Sequence, residues 1–345
     1  WSVVVKVVLG RCIKANNEAS PGRVRRRDTL KSKRIVVACA LVAAGVVAIV
    51  GAGQRQAGQS ELSIELVAGQ VHMIKRPDGI ANIGVLAGSE GVLLVDSLFS
   101  PLRTDEIVAA VREVTDSDIR FLINTHIHVD HIGGNENLAK LGVLIFAHDN
   151  TRLRFLADRV RAPRLGGDFR PTPPVGARPV VTYNDALTFH LNGEEVRAFL
   201  APAAHTDGDT FVYFPDSDVL HLGDVFRTTT YPIIDTYNGG TLAGTIEALE
   251  MAIVMAGPAT RVIPGHGLSV VGRDEMQEFL DMILDVRARV LTSIEDGMTL
   301  DEVMAARPTA MYDAKWSQDS GWTAEDFVPV VYYELGGDVR RVSNR

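Results

Sequence analysis

The segment THIHVDHIGGN, residues 125–135, puts His126, His128, Asp130 and His131 into six positions of a 345-residue chain that has nine histidines in all. A hydrophobic core would be penalised for desolvating so many polar groups, and a surface loop has no use for them. Their shared chemistry is metal ligation. In an extended segment residues i and i+2 point the same way, so His126 and His128, just past the apolar run FLIN, can reach one ion. Asp130 and His131 lie one step further, where Gly133-Gly134 lets the chain turn into a helix. They face away from the first pair, toward a second ion nearby.

Two or three ligands do not complete such a site, and the sequence supplies others at a distance. His205 lies in PAAHTDGDT, Asp224 in VLHLGDVF and His266 in VIPGHG, each at the end of an apolar, strand-like run. Taken singly, His205 and His266 read more readily as satisfied polar residues than as ligands, and Asp224 equally as a turn residue. Together, four ligand-bearing segments leave strands at their C-terminal ends, where α/β sheets assemble sites. Cys12 and Cys39 are the only cysteines and both precede residue 54, so the body offers nitrogen and oxygen donors but no thiolate. That donor set suits zinc, with iron or manganese also compatible. There is no G-x-S-x-G elbow for a serine nucleophile.

The elements that must hold these residues follow from periodicity. ELSIELVAGQVHMI, NIGVLAG and GVLLVDS read as strands, with Gly88-Ser-Glu-Gly91 a turn. SPLRTDEIVAAVREV reads as a helix with Ser100 as cap and Pro101 in the first turn. DIRFLINTH and VLIFAHD are strands, and NTRLRFLADRV is expected to be helical. RAPRLGGDFRPTPPVGARP, residues 161–179, lacks periodicity and reads as a long loop, either a lid or a surface excursion. ALTFHLNGEEVRAFLAP carries Asn192-Gly193, a hairpin signal. TFVYFP, VLHLGD and RVIPG add strands. LAGTIEALEMAIVM and the segment from Asp274 to Gly297 add helices, with TLDEVMAA and AEDFVPVVYYEL closing the chain. This alternation suits one layered α/β domain over residues 54–345.

Residues 1–53 differ in character. They hold ten of the 35 Lys/Arg and two of the 43 Asp/Glu, leaving 25 against 41, a net of −16, for the remainder. A body that acidic repels phosphate backbones and argues against a nucleic-acid partner. The uncharged run IVVACALVAAGVVAIVGAG, residues 35–53, follows KSKR and reads as a signal peptide cleaved near Ala52, or else as a single retained anchor. Either places the body in the periplasm or outside the cell, with the membrane touched only through this segment. Residue 1 is Trp and the first Met is Met73, so translation is expected to begin within the chain, near Val24 or Leu30.

The set H-x-H-x-D-H, a distant His, Gly-Asp and Gly-His-Gly resembles the metallo-β-lactamase superfamily over roughly residues 60–270. The resemblance implies a four-layer αββα sandwich. It implies two zinc ions, one on His126, His128 and His205 and the other on Asp130, His131 and His266, with Asp224 bridging them and Asp96 structural. A shared water activated by the two ions would attack a carbonyl, with Asp130 orienting the nucleophile and passing on its proton. The expected partner is a small acyl substrate: a β-lactam first, with lactones, esters and thioesters as alternatives, and a non-catalytic metal-binding protein last. Arg227 stands three residues after Asp224, where one β-lactamase subclass places a Lys that clamps the substrate carboxylate. Asn238 falls near where that subclass uses an Asn beside the lactam carbonyl. The same subclass has Cys where this chain has Asp224. His72, His148, His190 and His221 are not expected to ligate.

Overall fold

Alternating apolar residues build two sheets whose inner faces form one core. In the computed structural model, residues 62–157, 159–160, 169–170, 172–317 and 321–337 are described. β1 (Ser63–Ala68), β2 (Val71–Lys75), β3 (Ile83–Gly88) and β4 (Gly91–Val95) form an antiparallel meander. β5 (Ile119–Ile123) and β6 (Leu144–His148) extend it in parallel. After a ribbon of β7 (Arg159–Val160) and β8 (Phe169–Arg170), β9 (Val181–Tyr183) completes the seven-stranded sheet. The second sheet has five strands in order: β10 (Ala186–Leu191), β11 (Glu194–Leu200), β12 (Thr210–Phe214), β13 (Val219–His221) and β14 (Arg261–Ile263).

Strand periodicity assigns the side chains to layers. In β4, Leu93 and Val95 point between the sheets, where Val196, Ala198, Val212, Phe214 and Ile263 meet them. Val92 and Leu94 point the other way, onto Ile107, Ala110 and Val111 of α1 (Thr104–Arg112). A strand buried on both faces reads as the continuous apolar run GVLLV. The second sheet does the same: Phe211, Leu220 and Val262 face away from the first sheet, into a helical cluster. The expected αββα layering is therefore the observed one.

The first metal motif sits between β5 and β6, on the loop that holds His126 and His128 and on the short helix α2 (Val129–Ile132), with α3 (Asn135–Lys140) following. α4 (Asp149–Arg154) is shorter than the helix expected over NTRLRFLADRV. Of its trailing apolar residues only Phe155 finds a core, while Leu153 and Leu156 stay exposed, so no apolar face remains to carry the helix on. α5 (Leu242–Met255) links β13 to the parallel β14. α6 (Arg273–Glu295), α7 (Leu300–Ala306), α8 (Asp313–Trp316) and α9 (Ala324–Glu334) cover the outer face of the second sheet. The apolar run 35–53 and residues 161–168 and 171 of the long loop lie outside the described residues. Among the described residues no helix is long and apolar enough to cross a membrane.

Helix α5 is set against the loop that carries His205. Thr241 caps it, its Oγ1 accepting from the Gly244 amide at 2.9 Å and donating to the Ala203 carbonyl at 2.8 Å. A Cβ on Gly244 would fall 1.9 Å from that carbonyl oxygen. Gly244→Ala is expected to destabilise the protein by about 1–3 kcal/mol through this backbone clash, read as a fall of several degrees in thermal midpoint. An unchanged midpoint would show that the loop yields freely.

Candidate metal centre

Every residue of the site stands at or just beyond a strand end. Asp96 follows β4, the segment from Asn124 to His131 follows β5, His205 follows β11, Asp224 follows β13 and His266 follows β14. The seven expected ligands converge. Among the described residues, one group comprises His126, His128 and His205 and the other Asp130, His131, Asp224 and His266, with ligand atoms in each within 4.8 Å of one another. Asp224 lies where the groups meet: Oδ1 is 3.1 Å from His131 Nε2, and Oδ2 is 3.2 Å from His266 Nε2 and 3.7 Å from His205 Nε2.

Hydrogen bonds from behind fix the imidazole tautomers. His131 Nδ1 donates to Asp96 Oδ2 at 2.7 Å, and His205 Nδ1 donates to the Ile233 carbonyl at 2.6 Å. His126 Nδ1 donates to Thr125 Oγ1 at 3.0 Å, which in turn donates to Asp96 Oδ2 at 2.7 Å. In His126 and His205 the proton is held on the outer nitrogen and the lone pair on Nε2 faces the site, and in His131 the bond to Asp96 likewise turns Nε2 inward. His128 is turned the other way, Nε2 donating to Asp235 Oδ2 at 2.7 Å so that Nδ1 faces inward, 2.7 Å from His205 Nε2.

Charge follows the same plan. Burial, reinforced by the neighbouring imidazoles, holds His126 well below the usual histidine range, and burial brings His205 down to about 4, so both stay neutral with a lone pair to give. Burial works against ionised Asp224 and Asp130, but His266, His131 and Arg227 around the first, and His131 and His266 around the second, hold both well below the carboxylate range. His131 is desolvated too, yet Asp224, Asp96 and Asp130 keep it well above its ordinary value. The Nε2 atoms of His126, His131 and His266 and Asp224 Oδ1 are buried without a hydrogen-bond partner. Buried polar atoms are rarely left so, and these four, divided between the two groups, fit metal cations.

Residues 76–266 match the sequence profile of the Metallo-beta-lactamase superfamily, more than half of the chain. The chain belongs to the metallo-β-lactamase superfamily. It is 26% identical over 256 residues to a linear primary-alkylsulfatase from Pseudomonas sp., covering 64% of this chain and 48% of that one. It is 24% identical over 199 residues to the metallo-beta-lactamase type 2 of Bacillus cereus, covering 58% and 71%. The chain spans about half the length of the alkylsulfatase and of a second relative, the 2,4-dinitroanisole O-demethylase subunit alpha of Nocardioides sp.. Among solved structures, the stereoselective inverting sec-alkylsulfatase Pisa1 from Pseudomonas sp. superimposes with a TM-score of 0.61 at 18% identity, over 82% of this chain and 52% of that one.

Two further residues expected at this superfamily site take unexpected orientations. Arg227 is buried, its Nη1 donating to Asp224 Oδ2 at 3.0 Å. Asn238 is buried, its amide donating to Asp235 Oδ2 at 2.6 Å. Both side chains thus brace carboxylates of the centre. Sequence spacing places them near the site but carries no information on side-chain direction. Asp235 itself was not expected: nothing local in YPIIDTYNGG marks it. It also accepts from the Tyr237 and Asn238 amides, and the contact with His128 holds its carboxyl well below the usual range despite burial. Asp209 was missed as well. It accepts from the His205 amide at 2.7 Å and the Thr206 amide at 2.9 Å, while burial pushes its carboxyl up to about 7.

Asp235→Asn is expected to release His128 and weaken metal binding in the His126/His128/His205 group about 10- to 100-fold, with less change in the other group. Competition with a chromophoric chelator measures both steps. Unchanged affinity in the first group would show that His128 is held by other means.

Proposed function

We propose that this protein is a metal-dependent hydrolase that holds two zinc ions in the two groups and cleaves an acyl bond of a small substrate. The observation that carries the reading is the set of buried imidazole nitrogens and Asp224 Oδ1 that face one another without hydrogen-bond partners. When bound there, divalent ions supply Lewis acidity and bring the pKa of a ligated water toward about 7. The chain does the rest. Asp130 is the ligand carboxylate with most access to solvent, 3.1 Å from His266 Nε2 and 3.6 Å from His131 Nε2. It is placed to orient the attacking water and carry its proton to the leaving group. Asp224, held by Arg227, sets the separation of the two groups. Thr125, Asp96, Asp235 and Ile233 keep the rings from turning.

For the substrate, a β-lactam amide is the first reading, supported by likeness to the type 2 enzymes. A specific observation favours a second: Arg227 already spends Nη1 on Asp224, so a substrate carboxylate would have to compete for it. Lactones, esters and thioesters carry no such demand. The apolar run 35–53 behind a basic segment supports export to the periplasm or beyond. The acidic body supports a small-molecule partner and no nucleic acid.

Zinc-loaded protein assayed on a carbapenem, a cephalosporin, a lactone and an aryl ester is expected to turn over at least one class, with kcat/KM of about 10⁴ M⁻¹s⁻¹ or more. Chelator should abolish the activity and zinc restore it, and Asp130→Asn should lower kcat about 100-fold or more. Full turnover by protein shown by elemental analysis to be metal-free would overturn the reading.

A further inference from the structure

Large apolar side chains stand exposed on the segments that carry or brace the charged groups of the centre. Ile80 is 38% exposed, Phe99 37%, Val129 44%, Leu268 51% and Tyr237 56%. Single exposed apolar residues are ordinary on a protein surface. These five are set apart because each sits on a segment that carries or braces a ligand. Val129 separates His128 from Asp130. Leu268 follows His266 by two residues, and its Cδ2 lies 3.3 Å from where a Cβ on Gly79 would be. Gly79 accepts from the Gly267 amide at 2.9 Å, and the Ala81 amide donates to His266 Nδ1 at 3.4 Å, so the segment that carries Ile80 is held against the one that carries Leu268. Phe99 is pressed against the metal loop: Gly133 donates to the Leu98 carbonyl at 2.7 Å, and a Cβ on Gly133 would fall 2.3 Å from the Phe99 carbonyl carbon. Tyr237 follows Asp235, which holds His128.

The cations on the same segments are already engaged. Arg76 lies over the Phe99 ring at 4.8 Å and donates to Asp78 Oδ1 at 2.8 Å. Arg103 pairs with Glu106, Arg154 with Asp207 and Arg227 with Asp224. An anionic substrate tail would have to compete with these carboxylates for the cations. An apolar one would cover surface that otherwise stays wet.

Resting on the hydrolase reading above, we propose that the substrate is an ester or lactone with an uncharged, apolar acyl chain, and that this chain lies on the lip formed by Ile80, Phe99, Val129 and Leu268, with Tyr237 nearby. The reaction is simple hydrolysis. The acyl carbon–oxygen bond breaks, the water oxygen joins the acyl carbon, and a proton passes to the leaving oxygen. The lip supplies chain length preference and the metal centre supplies the chemistry.

The test is a series of 4-nitrophenyl esters from acetate through butyrate and hexanoate to octanoate, with the zinc-loaded full chain and subtraction of a chelated control. The metal-dependent kcat/KM is expected to rise about 30-fold or more from acetate to octanoate, as successive methylenes leave water. An ester of hexanoate length ending in a carboxylate should fall at least tenfold below hexanoate itself. The exposed positions Ile80 and Leu268 tolerate polar replacement without loss of fold, and Ile80→Ser with Leu268→Ser should cut the octanoate-to-acetate ratio about tenfold. A flat or falling series, or a ratio untouched by the double variant, would overturn the lip while leaving the hydrolase standing. Absence of metal-dependent turnover on every ester and every β-lactam would instead overturn the hydrolase reading.

Discussion

The Asp96 carboxylate is the interaction on which the candidate metal centre depends. It stands at the end of β4, fully buried, with φ of 70°, a backbone region that a non-glycine residue occupies only when its surroundings compel it. Its own amide donates to the Ile123 carbonyl at 2.8 Å, so β4 and β5 are tied together at the point where both stop. Its oxygens then accept from the Thr125 amide, the Thr125 hydroxyl and His131 Nδ1. One carboxylate therefore fixes one imidazole of each group, His131 directly and His126 through Thr125. Without it, two rings on one loop would be free to turn and the inward lone pairs would no longer converge.

The other side of the centre is held by a second segment, residues 233–241. The Ile233 carbonyl accepts from His205 and the Asp235 carboxylate accepts from His128. The Asp235 amide returns a bond to the His205 carbonyl at 2.9 Å. Gly240 packs so closely on that carbonyl that a Cβ there would lie 2.3 Å from its oxygen. Two ligands from distant parts of the chain thus share one brace. The energetic logic is the same on both sides: buried imidazoles and carboxylates are costly, and each is kept by a hydrogen bond that leaves only the metal-facing atom unsatisfied.

This division explains what could be read from the sequence. Ligation demands particular residue types at strand ends, so His126, His128, Asp130, His131, His205, Asp224 and His266 were visible as types in place. The layers were visible because strands buried on both faces read as unbroken apolar runs such as GVLLV. Asp235 was not visible, since its role exists only when a loop meets His128 across 107 positions of sequence. Arg227 and Asn238 were placed near the centre by spacing, yet both turn to carboxylates within it, because packing and not spacing sets a rotamer. The short helix α4 failed to extend for a like reason: Phe155 alone among its neighbours found a partner surface.

The chain beyond residue 266, where the superfamily match ends, reaches the segment that braces the site. Trp322 Nε1 donates to the Pro232 carbonyl at 3.1 Å, and the Tyr231 amide donates to the Trp316 carbonyl at 2.9 Å. The Tyr231 ring stacks on Phe327 of α9, centroids 5.4 Å apart and 10° from parallel. These contacts hold residues 231 and 232, and the next carbonyl, of Ile233, is the one that fixes His205. α8 and α9 therefore do more than close the apolar face of the second sheet. They hold the segment that orients His205 and His128, while Asp96, inside the matched region, fixes His131 and, through Thr125, His126. The first group is therefore held from two sides, by Asp96 through Thr125 and His126, and by the C-terminal helices through residues 231–235 and the rings of His205 and His128.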